Sequence, residues 1–283
     1  MKKSCKIVAE GCCNHLGKLD VAIEMIKMAK ICGADYIKWQ KRNPVESVPK
    51  EWHNKPHPNQ SNAFGSTYLE HRVNLEFSLD QHKELKKVSD DIGIGYSCSV
   101  WDMTSAAEIA SLNPDFIKIP SAANTCLNIL SMLFKSYDGD LHISLGMMTK
   151  LERENLFVFL ENYKDRVVIY HTTTEYPCPF DHLYLREVEN LKKMFPVVGY
   201  SGHNYGIAAD VIAYSLGASW IERHFSLDRT MKGTDHAASL EPDGLRRLCR
   251  DIVAIEKALK FKEKDMTDME ESQRSKLKIS NSL

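Results

Sequence analysis

Val197-Val198-Gly199-Tyr200-Ser201-Gly202-His203 and Ser219-Trp220-Ile221-Glu222-Arg223-His224-Phe225 decide how this chain is read. Each is a short apolar run that stops on polar residues, and the stretch 207–216 between them has helical periodicity. Strand, helix, strand is the repeating unit of a parallel sheet. Residues two apart on a strand face the same side, so Ser201 shares a face with His203, and Glu222 with His224.

Similar apolar runs stand outward from this unit at 6–11, 35–40, 95–100, 116–121, 141–146 and 166–171. Helical patterns fall between them. Val21, Ile23, Met25, Ile26, Met28, Ala29 and Ile31 approximate i, i+3, i+4 spacing, and 80–92, 103–111, 125–135, 149–161, 184–194 and 241–260 behave alike. Eight strands, each followed by a helix, predict an α/β protein with the (β/α)8 TIM-barrel fold. A doubly wound open sheet would usually have fewer strands and a glycine-rich first turn, and Gly11-Cys12-Cys13-Asn14-His15-Leu16-Gly17 lacks the dinucleotide fingerprint. The expected division is a barrel over 1–260, a long insertion after strand two at 41–79, and a charged tail at 261–283. An insertion of that size is expected to serve as a lid or pocket wall. The tail reads as a solvated helix end followed by a mobile terminus.

The composition, 43% hydrophobic and 27% charged with a net charge of -1, suits one ordinary core and gives no basic footprint for nucleic acid. Positive charge at Lys2 and Lys3 is followed by no long apolar run, because Glu10 and Asn14-His15 interrupt it. Neither a leader nor a membrane span is therefore expected. Eight scattered cysteines without a CxxC spacing read as reduced thiols in a cytoplasmic protein.

Lys38 and Gln40 share a strand face, and Lys118 with Ser121 ends another strand. Any one such pair is most simply a hydrogen-bonded rim residue. Together, at the carboxyl ends of strands whose other inward residues are apolar, they indicate a site. His203 and His224 are the metal candidates, and two neutral imidazoles with open positions suit Mn2+ or Mg2+ better than a closed zinc site. Lys38 and Lys118 suit a phosphate or carboxylate, with a Schiff base as the alternative. Ser121, Ser144 and Ser201 offer neutral donors to the same anion. His82, His142 and His182 read as surface or packing residues in helices and loops.

At these residues the chain resembles the sialic acid synthase family, from about residue 6 to 255. The resemblance is carried by Ala9-Glu10-Gly11 with Asn14-His15, Lys38-Trp39-Gln40, Lys118-Ile119-Pro120-Ser121, Ile143-Ser144-Leu145-Gly146-Met147 and His171-Thr172-Thr173 with Tyr176-Pro177. It continues through Gly199-Tyr200-Ser201-Gly202-His203 and Glu222-Arg223-His224-Phe225. It implies an enzyme condensing phosphoenolpyruvate with an N-acetylmannosamine-type sugar to a nonulosonic acid and phosphate. It further implies that His203 and His224 hold the divalent metal, a Lewis acid toward the sugar aldehyde, and that Lys38, Lys118, Ser121, Ser144 and Ser201 grip phosphoenolpyruvate. Gln40, Tyr176, Glu222 and Asp235 are implied contacts of the sugar or reacting centre, with Glu222 expected to handle protons during water addition.

The family's C-terminal antifreeze-like domain is not expected here, so its exchange between subunits is closed, and a homo-oligomer of barrels, dimer or tetramer, is expected instead. Leu16 and Thr174 stand where many members carry an acidic residue and an asparagine, so the resemblance specifies the reaction better than the sugar. Asn59, Asn62 and Tyr68 of the insertion are candidates to replace the missing wall. Some metal-dependent relatives making 3-deoxy-octulosonate phosphate use a strand-one cysteine as a ligand, but no such role is expected of Cys12 or Cys13. Competing readings are a synthase of another 3-deoxy-ulosonic acid, a Schiff-base pyruvate lyase or aldolase, and a non-catalytic sugar-acid binder.

Overall fold

The computed structural model describes residues 4–279 and closes eight parallel strands into a barrel in sequence order. The strands are β1 Lys6–Cys12, β2 Tyr36–Lys41, β3 Gly95–Val100, β4 Phe116–Ile119, β5 Asp140–Ser144, β6 Val167–His171, β7 Val198–Gly202 and β8 Trp220–His224. The helices are α1 Leu19–Cys32, α2 Pro44–Ser47, α3 Tyr68–Leu75, α4 Leu79–Ile92, α5 Met103–Ser111 and α6 Leu127–Ser136. They continue with α7 Lys150–Leu160, α8 Glu187–Lys192, α9 Ala208–Ser215, α10 Pro242–Ala258 and α11 Asp268–Leu277. The expected (β/α)8 barrel is what forms, with strand bounds within about two residues of those read from the apolar runs.

Strands covered on both faces must be apolar throughout, and the expected alternation of strand and helix follows from that demand. Local signals set the helix ends. Ser78 and Gln81 form a reciprocal capping box at the start of α4, and Gly93, at φ 75, ends it in the left-handed conformation.

The barrel interior is filled in layers. At the amino ends of the strands, Phe116 stacks on His142 with ring centroids 3.7 Å apart, and Trp220 meets His142 edge-on at 4.5 Å. His142 thus belongs to strand β5 and to the aromatic floor, not to a helix or loop. Its Nδ1 is 3.0 Å from the Tyr170 hydroxyl. Tyr170 finds room because residue 199 is glycine: a Cβ there would lie 2.5 Å from its ring. Above this floor the inward side chains turn polar, and the site begins.

The insertion 41–79 carries α2, α3 and two 3-10 turns, Lys50–Trp52 and Gln60–Asn62. Thr67 and Glu70 cap α3 reciprocally. Beyond α10, the tail forms the separate, wholly exposed helix α11, opened by a Thr267–Glu270 capping box. The expectation of a mobile terminus falls partly on 280–283, outside the described residues, as does the start of the chain at 1–3. Among the described residues no helix is long and apolar enough to cross a membrane.

Candidate active site

The carboxyl ends of the strands open into a cleft with about 490 Å³ of open space. Lys38, Gln40, Lys118, Ser121, Ser144, Tyr176, Ser201, His203, Glu222 and His224 all line it, so ten of the residues singled out from sequence converge. Asp235 is not among the lining residues. It lines a separate small cavity with Cys13 and Arg72, and the Cys12 thiol donates to its Oδ2 at 2.5 Å. His82 is buried against the Tyr96 hydroxyl at 2.7 Å and His182 pairs at the surface with Glu175, as ordinary packing and surface histidines do. Asn59, Asn62 and Tyr68 do not line the cleft. Asn59 accepts from Ser61, Tyr68 packs on Trp52 and His57, and Asn62 accepts from the Gly233 amide in the loop that carries Asp235.

The lower end of the cleft is a charge network. Lys118 Nζ donates to Glu222 Oε2 at 2.9 Å and lies 3.8 Å from the centroid of the Tyr170 ring. Lys38 pairs with Glu10, donates to Ser99 Oγ at 2.7 Å and lies 3.6 Å from Glu222. The Ser201 hydroxyl donates to Glu222 Oε1 at 3.0 Å. All these groups are buried, where an unpaired charge would be prohibitive. Burial alone would raise the Glu222 carboxyl, but Lys118 and then Lys38 overcome it and hold it well below the usual carboxylate range. Burial lowers Lys118 to about 8 although Glu222 opposes it. Glu10 goes the other way: burial pushes its carboxyl up to about 7 despite Lys38. The two carboxylates therefore differ in kind, one firmly ionised and one poised near neutrality.

Above the network, hydroxyls face the open space. Gly146 sits where a Cβ would lie 2.2 Å from Thr174 Oγ1 and 2.6 Å from Ser121 Oγ, so the missing side chain leaves a hydroxyl-lined niche. Asn124 donates to the carbonyls of Ser144 and Gly146 at 2.9 Å each and fixes this loop. The hydroxyls of Thr172 and Thr174 are buried without a hydrogen-bond partner, as groups kept for a bound molecule would be.

His203 and His224 line the same cleft, ring centroids 5.4 Å apart, with Tyr176 over His203 at 4.1 Å. The Thr173 carbonyl, 2.8 Å away, accepts from Nδ1 of His203 and so leaves Nε2 as a bare lone pair. Burial keeps both imidazoles neutral, lowering His203 to about 3 and His224 below its usual value. Nδ1 of His224 is buried with no hydrogen-bond partner. Two neutral imidazoles, one with its tautomer fixed and one with an orphaned nitrogen, fit a divalent cation.

Sequence reasoning gave no role to Ser99 or Arg42, named Glu10 and Thr172 in motifs without assigning them a role, and took Thr174 only as a departure bearing on the sugar. A carboxylate inside the apolar run Ile7-Val8-Ala9 was the available signal for Glu10. It sits beside both Lys38 and His224 in the strand register. Arg42 stacks over Trp101, 3.4 Å from its ring centroid, and donates to Gln40 Oε1 at 2.6 Å. From the insertion, Arg72 reaches the Cys13 thiol at 3.3 Å. Nothing in the linear pattern connects these distant segments.

The chain is 37% identical over 257 residues to N-acetylneuraminate-9-phosphate synthase of Homo sapiens, covering 90% of this chain and 71% of that protein. It is 36% identical over 263 residues to N,N'-diacetyllegionaminic acid synthase of Campylobacter jejuni, covering 92% and 78%. The solved N-acetylneuraminic acid synthetase from Leptospira borgpetersenii, in complex with citrate, superposes with a TM-score of 0.79 at 25% identity, over 96% of this chain and 91% of that one. The model of the NeuB family matches residues 25–264. Alike in sequence along nine tenths of its length and in barrel architecture, the chain belongs to the NeuB family.

Proposed function

We propose that this protein condenses phosphoenolpyruvate with the aldehyde of an N-acetylmannosamine-type hexose, giving a nonulosonic acid and inorganic phosphate. One observation carries the reading. Two buried lysines and two buried carboxylates of unlike protonation meet in the cleft, and two neutral imidazoles line the same cleft beside them. The named synthases among its relatives support the same reaction class.

In the reaction, carbon three of phosphoenolpyruvate forms a bond to the aldehyde carbon while the C=O π pair moves to the aldehyde oxygen, which takes up a proton, and positive charge is left at carbon two. Water adds there and loses a proton, and the C–O bond to phosphate breaks to give the ketone. Lys38 and Lys118 attract the anionic substrate, and the hydroxyls of Ser121, Ser144 and Ser201 orient it. Ionised Glu222 stabilises the charge at carbon two. The electrostatics favour Glu10 over Glu222 for the proton step, because a carboxyl near 7 both gives and takes protons at neutral pH. In this reading the proton-handling role expected of Glu222 passes to Glu10. An ion such as Mn2+ or Mg2+, held by His203 and His224, would supply Lewis-acid polarisation of the aldehyde oxygen. Cys12, Cys13, Cys32, Cys98, Cys126 and Cys178 are free thiols, which supports a reducing, cytoplasmic setting. A homo-oligomer of barrels is part of this reading and is testable by solution mass.

The decisive assay measures phosphate release from phosphoenolpyruvate with Mn2+ present. N-acetylmannosamine, its 6-phosphate, diamino-sugar acceptors, mannose and arabinose 5-phosphate are offered in turn. Release with a six-carbon acylamino sugar is expected; silence with every acceptor would sink the reading.

A further inference from the structure

We propose that Cys12 and Asp235 join His224 as cation ligands, so that this chain holds a borderline divalent ion such as Zn2+, Fe2+ or Co2+ through a thiolate. The inference rests on the metal-assisted reading above and specifies the ligands and the class of ion.

One ligand atom each from Cys12, His224 and Asp235 lies within 4.8 Å of the other two. Two bonds of about 2.0–2.3 Å meeting at a tetrahedral angle set ligand atoms roughly 3.3–3.8 Å apart, so small side-chain shifts that open the Cys12–Asp235 contact gather the three around one ion. Cys12 is brought there by an irregularity in the barrel. The register of β1 shifts between Glu10 and Cys12, and Cys12 takes φ 48, a conformation unusual for a residue with a side chain. Such bulges re-aim side chains beside active sites. The neighbouring thiol is used differently: Cys13 faces Arg72 and Gln40, outside the triangle.

The simpler account is a thiol–carboxylate hydrogen bond between Cys12 and Asp235. It leaves Nδ1 of His224 buried without a partner, and it gives no reason for the thiol, the carboxylate and the imidazole to converge. A bound ion accounts for the convergence. Because a thiolate is soft, its presence shifts preference from Mn2+ and Mg2+ toward Zn2+, Fe2+ and Co2+.

The test titrates the metal-stripped full-length protein with Co2+ and reads the absorption spectrum, with no turnover involved. The wild type is expected to show visible d–d bands and a thiolate-to-cobalt charge-transfer band in the near ultraviolet. Cys12→Ser should lose the charge-transfer band and bind Zn2+ at least about tenfold more weakly in competition with a chelating dye. Cys12→Gly should do the same, and because glycine adopts positive φ freely it serves if the serine variant fails to fold. Cys13→Ser should keep the band. Visible bands without charge transfer in the wild type, a band that follows Cys13, or unchanged Zn2+ affinity in both Cys12 variants overturns the proposal and leaves a histidine-held ion standing. Failure of the wild type to bind Co2+ or Zn2+ while Mn2+ binds also overturns it. Failure to bind any divalent ion overturns the metal-assisted reading as well.

Discussion

Lys118 on β4 and Glu222 on β8 are 104 positions apart in sequence, and their side chains meet at 2.9 Å inside the barrel. Neither charge is tolerable there alone. Glu222→Gln keeps the shape but removes the charge that balances Lys118 and Lys38. Turnover should fall by about 10²–10³-fold, the scale of losing one electrostatic contact to a transition state. The thermal midpoint should fall too. Wild-type kcat in the variant would remove Glu222 from the mechanism.

If Lys118 binds the anion as proposed, it should also set an alkaline limit. Burial lowers its pKa to about 8, so the free enzyme loses this positive charge as pH rises through that value, while an ordinary lysine would stay charged for two further units. The anion-binding power goes with the charge. For phosphoenolpyruvate, kcat/KM should therefore decline above about pH 8, whereas kcat, measured with the anion bound beside the lysine, should decline later. Lys118→Met should abolish that limb. A limb unchanged in the variant would assign the titration to another group.

Arg223 faces outward from β8, and its Nη1 donates to Asp210 of α9 at 2.5 Å and to the Gly206 carbonyl at 2.7 Å. Nη2 donates to the Asn204 carbonyl at 2.6 Å. It thus ties down the loop that follows β7 and begins with His203. Arg223→Met leaves the Asp210 charge buried and unpaired and should cost about 3–5 kcal/mol of stability. Adding Asp210→Leu should recover much of that loss. Denaturant unfolding of the two single variants and the double variant gives the coupling directly, and additive losses would show that the pair is not a unit.

The barrel was readable because buried parallel strands and covering helices impose two distinct apolar periods along the chain. Lys38, Lys118, Ser201, Glu222 and His224 stood out as polar residues at the ends of such runs. Packing contacts between distant segments left no comparable trace. The capping boxes at Thr67 and Thr267 were present in the sequence as Thr-x-x-Glu, yet their surroundings read as loop and charged tail. His142 looked incidental because its partners, Phe116 and Trp220, come from other strands. Cys12 depends on a register shift in β1 that the period-two rule does not anticipate. Asp235 was implied by resemblance alone, and in the structure it meets Cys12.

Arg42 offers a test of the sugar contact that the family resemblance implies for Gln40. Its guanidinium lies flat on Trp101 and donates to Gln40 Oε1, which leaves Gln40 Nε2 donating to Glu10 Oε1 at 3.2 Å and to Cys12 Sγ at 3.0 Å. Arg42 is thus a positioning residue: it orients the Gln40 amide but does not line the cleft itself. Lysine preserves the charge and loses the planar fork and the stacking. Arg42→Lys should raise KM for the sugar about tenfold, the equivalent of one hydrogen bond of about 1.4 kcal/mol, with little change in KM for phosphoenolpyruvate. In a Gln40→Ala background the same substitution should have little further effect, because the amide it orients is gone. Equal rises in both KM values, or full additivity with Gln40→Ala, would assign Arg42 to the structure of the insertion instead.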